Sequence, residues 1–278
     1  MPVELGVFVV PEAGDPGRTV QQVTAADAAG LDQVGIQDHP YQRRFLDTWT
    51  LLSYVAARTE RVRLVPDVAN LPLRPPAVLA KAAASLDLLS GGRVELGLGA
   101  GSFWDAVEAF GGPRRSGPES VDALEEGIAV LRAVWAGEGT VEGDHYALRG
   151  AKPGPAPAHR IGIWLGAYKP RMLRLTGRLA DGWLPSAGYL GGLDEARAGQ
   201  RAVDEAAERA GRDPRDVKRA LNLTLEGDPD AWPGQVLRWA ELGFESFMLG
   251  ADDDGGDPVG LVRRLGEELA PRVREALP

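Results

Sequence analysis

Cysteine is absent from the 278 residues, which excludes disulfides and thiolate chemistry. A reducing compartment, the cytoplasm, is the expected setting. Long apolar runs are missing too, and none reaches the roughly 20 residues a membrane helix needs. The opening Met1-Pro-Val-Glu-Leu-Gly6 has no basic stretch leading into an apolar one, so no signal peptide is expected. Excess positive charge is lacking. At −9 the chain is a poor polyanion binder as a whole, and it has none of the aromatic-and-basic interleaving of single-strand nucleic-acid binders. H-E-x-x-H, P-loop and G-x-S-x-G motifs do not occur. The partners left are a small-molecule substrate and a second copy of the chain. A homodimer is the default for soluble assemblies, with the helices after the first three strands as its expected interface.

What is present is alternation. Apolar, β-branched runs that read as buried strands fall at 3–10, 31–37, 61–68, 94–98, 161–165, 182–184, 217–225 and 244–249. Helical runs lie between them. Thr19 is the expected cap of the first, with Gly30 just past its end. In the helix begun by Pro75-Pro76, Leu79, Ala82, Ala83, Leu86 and Leu89 share one face, and Gly91-Gly92 ends it. Ser116 and Glu119 have capping-box spacing ahead of the stripe Val121, Leu124, Ile128, Leu131 and Trp135. Asp257-Pro258 should open the last helix. Eight strand–helix units in one chain predict an α/β fold, a (β/α)8 TIM barrel, as a single domain over 1–278. The competing doubly wound sheet often carries G-x-G-x-x-G in its first turn, and residues 11–18 lack it. Residues 137–160 interrupt the rhythm as a short excursion before strand five, with a small hairpin expected over Thr140–Leu148.

In such a barrel the loops after the strand C-termini build the active site. The second carries Asp38 and His39, a carboxylate beside the one histidine outside the excursion. Histidine titrates near neutrality and suits proton transfer. At the third strand's end, Asp67 is an odd charge in a buried strand and Pro66 removes a ladder donor, which together suggest a bulge beside a ligand. Gly97, Gly99 and Gly101 would let a flat ligand lie on backbone, with Phe103 and Trp104 as apolar walls. After strand five, Lys169 and Arg171 flank a helix start, a position that binds phosphate. The run 250–257 holds four aspartates and reads as a solvated turn, so no metal is assigned. None of the four lysines stands clearly at an inward strand end, which disfavours a Schiff-base aldolase.

The stretches 70–81, 88–101 and 170–183 resemble the luciferase-like flavin monooxygenase superfamily, and the match runs over essentially the whole chain. The resemblance implies a TIM barrel that binds coenzyme F420 or FMN. Asp38-His39 is similar to the Asp-His pair of the F420-dependent oxidoreductase branch, which implies catalytic roles, with His39 beside the deazaflavin ring. It also implies that Pro66, Asp67 and Val68 back the ring, often with a non-proline cis peptide, that Gly99 and Ala100 lie near it, and that Gly166, Ala167, Tyr168, Lys169, Pro170 and Arg171 hold the cofactor's tail and phosphate. Sugar-phosphate dehydrogenases of that group carry Glu where this chain has Ser102, so their substrate is not carried over. The expected function is hydride transfer between F420 and a small organic substrate. An FMN-dependent monooxygenase and a non-catalytic flavin- or F420-binding protein are the alternatives.

Overall fold

A computed structural model describes residues 3–277; Met1 and Pro2, the start of the stretch read for a signal peptide, lie outside the described residues with Pro278. The chain forms a closed barrel of parallel strands: β1 (Glu4–Val9), β2 (Gln33–Ile36), β3 (Arg63–Pro66), β4 (Ala69–Asn70), β5 (Leu96–Gly99), β6 (Ile163–Leu165), β7 (Gly182–Trp183), β8 (Lys218–Leu225) and β9 (Ser246–Ala251). Their order around the wall is β3-β2-β1-β9-β8-β7-β6-β5-β4. Among the described residues ten α-helices wrap it: α1 (Pro16–Ala28), α2 (Thr48–Ala56), α3 (Pro76–Ser90), α4 (Trp104–Ala109), α5 (Gly117–Ala136), α6 (Pro170–Leu179), α7 (Leu193–Arg209), α8 (Trp232–Ala240), α9 (Pro258–Arg264) and α10 (Ala270–Ala276).

The barrel has nine strand segments where the sequence predicts eight strands, because the third is broken. β3 pairs with β2, β4 pairs with β5, and between them lies a cis peptide at Asp67–Val68. A bridge from Leu64 to Val94 closes the wall below the break. This is the expected distortion at Pro66-Asp67. Strands here are buried on both sides, as a parallel sheet covered by helices requires. The lumen is filled by Val65, Trp164, Leu184, Ala220 and Met248, with Phe8 and Val68 against them. At its base the Glu4 carboxylate forms ion pairs with Arg63 at 2.7 Å and Lys218 at 2.6 Å. Lys218 is thus committed to the end opposite the expected active site.

The capping box at Ser116–Glu119 and the Asp257 cap form as predicted. Two other expectations are corrected. Asp15, not Thr19, caps α1: its carboxylate accepts from the Arg18 amide at 2.9 Å, because Pro16 already occupies the first helical position. Thr19 lies a turn inside the helix. Leu89 is 85% exposed, since α3 turns it away from the core face that Leu79, Ala83 and Leu86 occupy. The excursion hairpin shrinks to one antiparallel bridge, Val141 with Leu148. Its turn is tied to α5 by the Glu126 carboxylate, which accepts from the amides of Asp144, His145 and Tyr146. No helix among the described residues is long and apolar enough to cross a membrane.

Candidate active site

The sequence places Asp38 and His39 together; the structure separates their side chains. Asp38, 2% exposed, turns toward β4. Its carboxylate accepts from the Asn70 amide at 3.0 Å and from Arg74 Nε and Nη2 at 2.7 and 2.8 Å. The planar guanidinium matches the carboxylate fork, the strongest side-chain ion-pair geometry. Arg74 also donates to Asp47, the cap of α2, at 2.7 Å. Burial opposes the Arg74 charge, but the hydrogen bonds and charges of Asp38 and Asp47 outweigh it and raise its pKa. Asp38 therefore anchors the β2 loop to the segment after the break, and its oxygens are engaged within the protein.

His39 turns the other way. Its Nδ1 lies 2.8 Å from the Tyr41 hydroxyl. Its ring is 5.4 Å from Tyr41 and 5.8 Å, edge-on, from Phe103. Phe103 is 64% exposed and holds φ 52°, uncommon for a residue with a β-carbon. Burial lowers the His39 pKa, partly offset by the Asp38 charge, so the imidazole is neutral at pH 7. Burial and then the Asp38 charge push the Tyr41 phenol up to about 12, with a hydrogen bond from Ser102 acting in the opposite sense.

The broken strand presents Asp67 and Val68 to different neighbours. Val68 packs toward β5 and β6: a β-carbon on Gly99 would meet its Cγ2 at 2.9 Å, and one on Gly97 would meet the Pro66 carbonyl at 2.3 Å. These glycines let the strand lie close to the bulge. Gly166 is different, since a β-carbon there finds nothing closer than 3.6 Å. Asp67, 5% exposed, points into the lumen beside Gly35, Met248 and Asn222. Asn222 Nδ2 donates to its Oδ1 at 2.9 Å, while its Oδ2 has no partner. Burial pushes this carboxyl up to about 7, the Asn222 hydrogen bond pulling the other way.

The segment expected to hold a phosphate leads into α6. Lys169 caps that helix without a side-chain hydrogen bond, and Pro170 is its first residue. The start of a ten-residue helix with no side-chain cap leaves amides available to an anion. Arg171 is less available than the sequence suggests, because its guanidinium pairs with Asp122 and donates to the Pro118 carbonyl. Ala167 is buried and its carbonyl accepts from Trp183 Nε1 at 2.9 Å. The Tyr168 hydroxyl accepts from the Ser186 amide, bracing the loop after β7.

Three oxygens near the mouth, on Asp67, Asn70 and Asn222, are buried without partners. Together with the bulge between Gly99 and Gly166 and the bare start of α6, they suit a flat heteroaromatic ring with a phosphate-bearing tail. Sequence reading missed Tyr41, Arg74 and Asn222 as site residues. Asn222 had a signal, a polar side chain on the inward register of a buried strand. The pairing of Arg74 with Asp38, 36 residues away, had none. In the run 250–257, Asp252, Asp253 and Asp254 accept from amides of their own turn.

Fold and mouth together define a TIM barrel with a candidate site at the C-terminal ends of its strands. A family model described as luciferase-like monooxygenase matches residues 2–232. The chain is 34% identical over 272 residues to an F420-dependent glucose-6-phosphate dehydrogenase of Intrasporangium calvum, covering 92% of this chain and 78% of that one. It is 31% identical to a protein of the same description from Beutenbergia cavernae, covering 98% of each. Among solved structures it is similar to an F420-dependent secondary alcohol dehydrogenase in complex with an F420–acetone adduct. That likeness has a TM-score of 0.86 at 20% identity and covers 98% of this chain and 99% of that one. The F420-dependent tetrahydromethanopterin reductase of Methanopyrus kandleri gives 0.85 at 18% identity, covering 98% and 100%. The chain belongs to the luciferase-like monooxygenase family, in its F420-dependent oxidoreductase branch.

Proposed function

We propose that this F420-dependent oxidoreductase moves a hydride between the deazaflavin and a small, uncharged alcohol or carbonyl compound bound over the mouth of the barrel. The carrying observation is the broken third strand, which offers Val68 as a backing surface between Gly99 and Gly166 with His39 on the neighbouring loop. When bound, the cofactor supplies the redox chemistry. Pro66, Asp67 and Val68 would back the ring, Gly99 and Ala100 would let it lie close to β5, and residues 166–171 would hold the tail at the start of α6. His39 handles the proton at the substrate oxygen. Asp38 holds the loop that carries His39.

The relatives from Intrasporangium calvum and Beutenbergia cavernae are described as glucose-6-phosphate dehydrogenases. The rim here favours a different substrate charge. The loops 226–231 and 252–257, after β8 and β9, hold seven carboxylates and no lysine or arginine. A phosphate dianion would meet repulsion there. Ser102, in place of the Glu of sugar-phosphate dehydrogenases, supports the same reading. Pairing into a homodimer is supported by exposed Tyr54 on α2 and by Val78, Leu88 and Leu89 on α3.

Tryptophan fluorescence of the cofactor-free protein, titrated with F420 and separately with FMN, tests the reading. Micromolar or tighter F420 binding with weak FMN binding is expected, followed by loss of F420 absorbance with neutral alcohols and not with sugar phosphates. Preference for FMN would move the chain to flavin-dependent oxygen chemistry. Binding of neither would sink the cofactor assignment.

A further inference from the structure

We propose that Tyr41 is a positioning residue that fixes the tautomer of His39, so that Nδ1 accepts from the Tyr41 hydroxyl and Nε2 carries the proton presented to the substrate oxygen. The geometry carries this. Tyr41 Oη and His39 Nδ1 are 2.8 Å apart, only Pro40 separates them in sequence, and Phe103 closes the far side of both rings. His39 is half-buried, and among the described residues its Nε2 makes no hydrogen bond.

A contact between a phenol and an imidazole has two polarities, and here the surroundings choose one. The phenol keeps its proton far above neutrality, so its O–H is present to donate. The imidazole is neutral, so one nitrogen bears a lone pair. His39 Nδ1, 2.8 Å away, is the acceptor that the Tyr41 proton meets. Other charges near the pair belong to Asp38, which acts on the ring through space while turned toward β4, and Arg74, which neutralises that carboxylate. A neutral ring with its proton on Nε2 is a donor in the resting state, suited to a carbonyl oxygen.

The step balances as follows, resting on the reading proposed above. The substrate carbon gains a hydride from the reduced cofactor as the C=O π bond opens, and its oxygen takes the Nε2 proton. His39 receives the Tyr41 proton at Nδ1 in the same motion, and the resting pair returns when Nε2 takes a proton from solvent and Nδ1 gives its own back to the phenolate. In the alcohol-oxidising direction each transfer reverses. Tyr41 therefore never touches substrate, and acts by setting which nitrogen gives and which receives.

Long-range proton–nitrogen correlation spectra of the full, cofactor-free chain read the tautomer directly. Only three histidines contribute, and a His39→Gln variant identifies the signal of interest. The expected result is a bare Nδ1 and a protonated Nε2 at neutral pH. In Tyr41→Phe the His39 titration midpoint should move up, because a bond to the neutral form is lost. With F420 loaded, kcat of that variant should fall roughly tenfold or more while KM and F420 affinity hold, and Ser102→Ala should fall less. A protonated Nδ1 in the unmodified chain, or an unchanged kcat in Tyr41→Phe, overturns the proposal. If Tyr41→Phe does not fold, the spectrum of the unmodified chain still decides. The predicted tautomer together with no F420 binding would uphold the pairing and refute the cofactor reading.

Discussion

Replacing Asp67 with Asn should make this protein more stable, and the gain should depend on pH. The carboxyl is 5% exposed, one of its oxygens has no partner, and burial pushes its pKa from 3.8 to about 7. Because the folded value lies above the unfolded one, the folded chain keeps a proton that the unfolded chain has released. Between pH 3.8 and about 7 the folded state therefore loses stability as pH rises, and above about 7 the loss is complete. Some three units at about 1.4 kcal/mol each give roughly 4 kcal/mol. Asn keeps an oxygen to accept from Asn222 and has nothing to ionise. Asp67→Asn should thus gain about 2–4 kcal/mol at pH 8, allowing about 1 kcal/mol for an altered hydrogen bond. The gain should shrink toward zero near pH 4. Urea unfolding of cofactor-free protein at pH 8 and pH 5 measures it, read as a change of midpoint at constant slope. An equal gain at both pH values, or a loss at pH 8, would refute the reasoning.

Arg74→Met should destabilise the fold by about 3–5 kcal/mol by leaving Asp38 buried and unpaired, and a urea titration would show it. Arg74→Lys should recover only part, since the two-pronged contact is gone. Gly97→Ala should cost about 1–3 kcal/mol or more, because its β-carbon would meet the rigid Pro66 carbonyl at 2.3 Å. Gly166→Ala has room and should melt like the parent while weakening F420 binding by titration. His39→Ala should cut turnover about 100-fold or more with cofactor affinity spared. Ser116→Ala should lower unfolding stability by about 1 kcal/mol through the lost cap of α5.

The barrel was legible because parallel strands buried on both faces leave long apolar runs, and helices between them leave a second period. The break at Asp67 was legible for the same reason: a charge and a proline stood where neither belongs in a central strand. What stayed hidden were pairings made by the closed barrel. The Asp38–Arg74 fork joins residues 36 apart through the curvature of the wall, and Asn222 reaches Asp67 across the lumen over 155 residues. Adjacent letters misled in one case. Asp38 and His39 read as a pair, yet neighbouring residues at a strand end point to opposite sides, so each found another partner. Leu89 misled differently, since helical spacing places a residue on a face without saying where that face ends.

The parting of β3 from β4 bears on how the wall behaves as a whole. At that seam the ring of staves is joined through one short stretch of chain and a bridge beneath it, with no shared ladder at the upper edge. A planar molecule resting on Val68 would lie over the seam and touch staves on both sides of it. Cofactor would then work as a clasp as well as a reagent. Losing it would loosen the rim first beside His39, while the base, held by Glu4, Arg63 and Lys218, stayed shut.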